Sequence, residues 1–547
     1  MKRLLFLFIF IVFSLIPIIG FFHGGLPLTH DGQDHVARIA NFYENLSQGV
    51  IIPRWAPNLN WGYGHPILEF LYPLPSYIAS FFHFLGFSLI DSTKLVFGLG
   101  MVLSTLFMFL WLSTFLGKLS AFFGAILYSY APYRFVELYV RGDIGENLAF
   151  AFIPLTLFFV YRFYQSQNYK HIFFGSLSLA LLILSHNAIS LMFMPFLIFY
   201  CFYLVWQSPL WRLFATRYLL FAIFGFGLSA FFWIPGLFEA KYTLRNIVTA
   251  GEYLNRFANP RELLYGSWSY GGSGQFSLQL GIIQWISLIL SPLVVFYFYK
   301  RKEKKYLFVL GLIIYTFFAI FFMLSQSNFI WLKAMLLQNF QFPWRFIAIT
   351  VFSTSVLGAI SISVLSKKIK FILVGILLVL ILLISKDYWQ ANGYFYKPDS
   401  FFTDIYNGTT DTGESAPIWS IRFMETRAKE PLEVISGLAK INQIKRTSVN
   451  HFYNVEALEK TRLLENTLYF PGWEILVDKR AVSIQFQDPS FRGLMTFQID
   501  KGKHTVEVVY KETKLRMIAD IISFISLIIL LFGLYLVSDN KLFVKKI

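Results

Sequence analysis

Long apolar runs separated by short polar breaks fill most of the sequence. Runs near 4–22, 92–116, 119–135, 147–164, 171–186, 188–206, 213–235, 277–299, 306–324, 346–365, 371–386 and 515–537 stand out. Each approaches or exceeds the ~20 apolar residues that carry a helix across a bilayer. The pattern predicts a polytopic α-helical membrane protein of about 12 spans. A further apolar stretch, Leu68–Leu89, is interrupted by Pro73 and Pro75 and reads as a membrane-surface or re-entrant helix.

The stretch 387–514 changes character. Leu476–Ile484, Leu494–Ile499 and His504–Tyr510 show partial alternation of β-branched and aromatic residues with polar ones. Asp478-Lys479-Arg480 and Asp500-Lys501-Gly502-Lys503 have the composition of hairpin turns. Three units follow: a transmembrane domain over 1–386 that includes a long loop at 23–91, a small β-rich, sandwich-like domain over 387–514, and a final helix with its tail over 515–547.

Composition agrees: 56% of the 547 residues are hydrophobic and 14% charged, whereas soluble domains carry about a quarter charged residues. The net charge of +16 does not mark a nucleic-acid binder, because the basic residues sit in short loops. The largest cluster is Lys300, Arg301, Lys302, Lys304 and Lys305; others are Lys367-Lys368 with Lys370, and Lys541 with Lys545-Lys546. A cytoplasmic N-terminus puts 117–118, 165–170, 207–212, 300–305, 366–370 and 538–547 inside, and every clear basic cluster then obeys the positive-inside rule. The chain is expected in the cell membrane, multi-pass, with 387–514 extracytoplasmic. Its basic start and first apolar run resemble a signal peptide, but no small-residue cleavage site follows, so the run reads as a retained helix. Cys201 is the only cysteine, which excludes an intrachain disulfide.

Candidate chemistry collects in two outer loops. In His30-Asp31-Gly32-Gln33-Asp34-His35-Val36-Ala37-Arg38, helical spacing sets Asp31, Asp34, His35 and Arg38 on one face. Two carboxylates there can hold a hard divalent cation, or one can accept a proton from an attacking hydroxyl. Arg38 can meet a carboxylate or a phosphate. The bland alternative is a capped, solvated helix start. The second loop, Arg141-Gly142-Asp143-Ile144-Gly145-Glu146-Asn147, is acidic too, and two such clusters on one side favour a shared site. Arg54 in Pro53-Arg54-Trp55 can bind a lipid phosphate. Phe342-Pro343-Trp344-Arg345 reads as an interface anchor, and Ser185-His186-Asn187 as a tight polar turn.

These features together resemble the GT-C superfamily of membrane glycosyltransferases. The stretch from Asp31 through Arg38, with Gly49, Pro53-Arg54-Trp55, Gly62-Tyr63-Gly64, Tyr72-Pro73-Leu74-Pro75, Ala131-Pro132-Tyr133-Arg134, Tyr139-Val140-Arg141-Gly142 and Phe342-Pro343-Trp344-Arg345, is similar to the "6-pyruvoyl-tetrahydropterin synthase-related" membrane family. Tyr469-Phe470-Pro471-Gly472-Trp473 and Gly502-Lys503-His504-Thr505-Val506 resemble the YfhO-like proteins. GT-C membership implies sugar transfer from a polyprenyl-phosphate-linked donor to a glycan, lipid or protein acceptor at the outer membrane face. Asp31 matches the acidic residue of the first loop, as base or metal-site member, with Asp34 beside it and Asp143 or Glu146 from the second loop. His35, Arg38, Arg54 and Arg141 would contact substrate. A metal, Mg or Mn, would sit at Asp31 and Asp34, although the directly adjacent acidic pair common in such loops is absent. The other readings are a non-catalytic scaffold or sensor on a degenerate GT-C core, and a transporter of lipid-linked glycans. The nearly uncharged span interiors weigh against the transporter.

Overall fold

The computed structural model describes residues 2–271 and 276–538, so the basic tail with Lys541 and Lys545-Lys546 lies outside the described residues. Among the described residues, 10 helices are long and apolar enough to cross a membrane, from Leu4–Phe22 to Lys514–Leu536. The helices Lys118–Ser129 and Lys170–Ser185 are shorter and occupy the two remaining apolar runs of the sequence. The protein is polytopic and α-helical.

Two runs break where backbone chemistry requires it. The run at 119–135 stops being a helix after Ser129, because Pro132 lacks an N–H and forces Ala131 into extended backbone (φ −62°, ψ 138°). A short helix Pro132–Val136 and a π-helical turn Glu137–Arg141 follow. The run at 213–235 divides at Ser229 into Trp211–Leu228 and Ala230–Phe238. Leu68–Leu89 does not span; it forms the short helices Ile67–Phe70 and Leu74–Phe84 before the long helix Leu89–Ser113 begins.

The loops segregate to two ends. At one end, Gly117, Gln207, Arg301, Lys305 and Ser363 line a single cavity, and Gln165 donates to the Thr114 carbonyl. These are the loops with the basic residues. At the other end the 23–91 loop meets the C-terminal part. Strand β1 (Leu26–Pro27) pairs with β2 (Tyr394–Phe395), and Asn60 N–H donates to the Gly408 carbonyl.

The C-terminal part contains a β-sandwich. Strands β3 (Leu432–Ser436), β4 (Ala439–Arg446), β5 (Asn450–Ala457), β6 (Thr461–Leu468), β7 (Trp473–Val477), β8 (Arg480–Val482), β9 (Leu494–Ile499) and β10 (Gly502–Tyr510) form two antiparallel sheets. One is ordered β4-β5-β10-β7-β8 and the other β3-β6-β9. Their inner faces share an apolar core around Tyr453, Leu463, Met495, Phe497 and Val508. Asp478 and Lys479, both at positive φ (50° and 65°), make the two-residue turn between β7 and β8. The sandwich does not stand apart: Trp55 meets Trp473 edge-on at 5.4 Å and Phe70 meets Phe470 at 6.0 Å.

Candidate active site

The two acidic loops are joined by their backbones. His30 N–H donates to the Val140 carbonyl (2.9 Å) and Asp31 N–H to the Arg141 carbonyl (2.8 Å). Gly142, at φ 70°, makes this approach possible, since a Cβ there would overlap Thr29. Asp31 then begins helix Gly32–Ser47, and Asp143 caps Ile144–Ser166 by accepting from Glu146 N–H at 2.9 Å.

Arg141 organises the second loop. Its guanidinium pairs with Glu137 (2.6 Å), Glu146 (2.9 Å) and Asp143 (3.1 Å), and its Cζ lies 4.8 Å from the centre of the Trp344 ring. Tyr133 donates to Glu146 at 2.7 Å and Tyr72 to Asp143 at 3.1 Å. Two further residues join from remote segments. His186 accepts from Ile189 N–H through Nδ1 and so turns Nε2–H toward Asp143, 3.5 Å away. Arg345 brings Nε to 3.5 Å from Glu146. The polar turn at 185–187 and the aromatic anchor at 342–345 therefore both furnish this cluster, which their neighbours in sequence do not reveal.

Asp31 stands beside the cluster with a different status. Among the described residues its carboxylate has no hydrogen bond or ion pair. Burial raises its pKa above the ordinary carboxylate value, and the Asp143 charge adds to that, against the pull of Arg141 and Arg38. Asp143 is the opposite case: burial would raise it, but His186, Arg141 and Arg345 hold it well below the usual range. The two environments thus push neighbouring carboxyl groups in opposite directions.

Asp34 is occupied, accepting from Tyr406 at 3.0 Å. Arg38 donates to Thr410 (3.0 Å) and lies 3.2 Å from His35 Nδ1. Arginine has only hydrogens to give, so His35 Nδ1 accepts and the ring proton sits on Nε2. Burial, then Arg38, lowers the His35 pKa to about 3, which keeps the ring neutral. Its Nε2 is buried and without a partner among the described residues.

Arg54, grouped with this site from the sequence, belongs elsewhere. It is 3% exposed and spends its donors on Glu512 (3.0 Å), Asp520 (2.7 Å) and the Phe231 carbonyl (3.0 Å). A separate group of ligand-type side chains gathers at the second loop. Asp143, Glu146 and His186 offer ligand atoms within 4.8 Å of one another, and Asp31 and Asp34 are not in that group. The donor set does not fit a resident Mg or Mn. Both carboxylates already accept from Arg141 and from tyrosines, so a cation would have to displace a buried guanidinium.

Residues 68–391, more than half of the chain, match the family model described as "6-pyruvoyl-tetrahydropterin synthase related domain; membrane protein". The chain belongs to this family. An uncharacterized protein of Lactococcus lactis subsp. cremoris (strain MG1363) is 23% identical over 317 residues, 55% of this chain and 51% of that protein. The chain thus aligns with about half of that relative's length. ArnT from Cupriavidus metallidurans, solved with undecaprenyl phosphate, gives a TM-score of 0.40 at 15% identity over 73% of this chain and 68% of that one. The Archaeoglobus fulgidus oligosaccharyltransferase, solved with Zn and sulfate, gives 0.43 at 16% identity over 74% of this chain and 58% of that one. At such scores the likeness is partial.

Proposed function

We propose that this family member is a GT-C-type glycosyltransferase that moves a sugar from a polyprenyl-phosphate-linked donor to an extracytoplasmic acceptor. The observation that carries the reading is Asp31: a carboxylate unpartnered among the described residues, with a raised pKa, held by backbone bonds against a buried acid–arginine cluster. A raised pKa makes a carboxylate a stronger base near neutral pH. In the reaction an acceptor hydroxyl attacks the anomeric carbon while its proton passes to Asp31. The new C–O bond forms as the bond to phosphate breaks, and the polyprenyl phosphate leaves. His35 Nε2–H and the guanidinium of Arg38 are the donors for that phosphate, because Arg54 and Arg141 are committed to carboxylates. Arg141, with Asp143 and Glu146, holds the loop in place and supplies the local positive charge that a metal would otherwise bring. The sandwich and this site share one end of the bundle, the one away from the basic loops, which the positive-inside rule sets outside. The Tyr469–Trp473 seam and β10 are the YfhO-like part of the reading.

A scaffold reading has one observation on its side, the saturation of Asp143 and Glu146 by Arg141. Transfer from radiolabelled polyprenyl-phosphate sugars by the purified protein separates the two. Wild type transfers or hydrolyses donor, and Asp31→Asn loses about 100-fold or more, the scale of general-base catalysis. EDTA leaves the rate unchanged. Donor binding and turnover absent from wild type across the panel would favour the scaffold.

A further inference from the structure

At the end of the bundle with the basic loops, helices Lys118–Ser129 and Lys367–Ser385 start side by side around a cavity of about 680 Å³. Lys118, Lys367, Lys368 and Lys370 all line it. Their placement is electrostatically unfavourable for the protein alone. Both helices begin without a side-chain cap and with no acidic residue in the first turn, so their orphan N–H groups and positive dipole ends face four lysines. Lys370 donates to the Ser363 carbonyl at 2.9 Å, while Lys118, Lys367 and Lys368 have no partner among the described residues. Ser120, also lining the cavity, is wholly buried, and its hydroxyl lacks a hydrogen-bond partner. The remaining wall is apolar: Leu119, Phe371 and Ile372, the last two strongly exposed.

A topological signal alone requires only that lysines lie in the loop. It does not require them on two uncapped helix starts above an unpaired buried hydroxyl. We propose that this cavity binds the phosphate of an anionic membrane lipid, with the lysines and helix N-termini on the headgroup and the chain along Phe371 and Ile372. The Lys300–Lys305 loop is the internal control: it is more basic, but the cavity it borders also holds the acid Glu303, which pairs with Lys305.

The test uses the full-length protein in neutral detergent, titrated with dioleoyl phosphatidic acid, dioleoyl phosphatidylcholine or inorganic phosphate, with bound molecules counted by native mass spectrometry. The proposal expects phosphatidic acid to bind in preference to the zwitterionic lipid. Each lysine near a headgroup contributes about fivefold in affinity, so the triple variant K118Q/K367Q/K368Q should lose on the order of a hundredfold. The triple variant K302Q/K304Q/K305Q, with the same charge removed, should bind as wild type does. Equal losses in both variants would reduce the effect to surface charge and overturn the site. Displacement of the lipid by equimolar inorganic phosphate would overturn the lipid and leave a phosphate site alone.

Discussion

Asp31 and Asp143 are two carboxylates whose surroundings push them in opposite directions, and this opposition can be measured. If Asp31 is the base, activity falls as pH drops through its raised pKa. The Asp143 charge is one cause of that raised value. Asp143→Asn keeps an acceptor for Tyr72 and for Glu146 N–H but removes the charge. The acidic limb of the pH–rate profile should therefore move to lower pH in this variant, whatever happens to the maximal rate. A limb that stays put would separate the base from Asp31. At this scale the sequence was partly legible. Asp31, Arg141, Asp143 and Glu146 announce themselves as ionisable residues between apolar runs. His186 and Arg345 do not, because each reads locally as a turn or an anchor and acquires its role only from a partner 40 or more residues away. Arg54 shows the converse error: beside Trp55 it reads as a phosphate ligand, yet its partners Glu512 and Asp520 lie at the far end of the chain.

Among elements, the β-sandwich contains its own buried ionic centre. Glu465 on β6 is fully buried and accepts from Tyr453 (3.0 Å) and Thr467 (2.9 Å), with Arg446 and His451 each at 2.9 Å. Burial would raise its pKa, but Arg446 and these hydrogen bonds hold it down to about 2. A depressed carboxylate stabilises the fold above its unfolded value near 4.5, and that stability is lost as pH falls toward 2. Glu465→Gln should cost the sandwich about 3 kcal/mol at pH 7, the scale of breaking a buried pair. The loss should shrink on acidification, as followed by urea unfolding with near-UV circular dichroism; a pH-independent loss would assign Glu465 a packing role. The strands that alternate and end in Asp-Lys or Gly turns, β7, β9 and β10, were readable from the sequence. β3 to β6 were not. β4 is largely exposed and β6 buried on both faces, so neither shows a period of two, while β3 and β5 do alternate, β5 by turning His451, Tyr453, Val455 and Ala457 inward, a set that is not a run of β-branched residues.

For the whole molecule, the final helix holds the two halves together through a buried charge. Arg516, wholly buried, donates to Glu239 through Nε (2.9 Å) and Nη2 (2.6 Å), and its Nη2 also lies 2.8 Å from Glu69. Burial raises Glu69 well above the ordinary carboxylate value, against the pull of Arg516 and with the Glu239 charge adding to the rise. One guanidinium thus ties helix Lys514–Ser538 to the 23–91 loop and to the polar stretch after Ala230–Phe238. No sequence pattern could reveal this, since Glu69 and Arg516 sit at the starts of two apolar runs, 68–89 and 515–537, and Glu239 in the polar break after a third. Removing only the arginine leaves two buried carboxylates without a cation, which costs about 3–5 kcal/mol. Arg516→Met should therefore lower the thermal midpoint of the detergent-solubilised protein sharply. Arg516→Met with Glu239→Gln should recover much of it, because the orphaned charge is gone. The Tyr469–Trp473 seam packs on Trp55 and Phe70 of the same loop that presents Asp31, so the single variant should also lose transfer activity near its lowered midpoint. A double variant no more stable than the single one would mean that Arg516 acts through its packing between Phe470 and Tyr510, not through its charge.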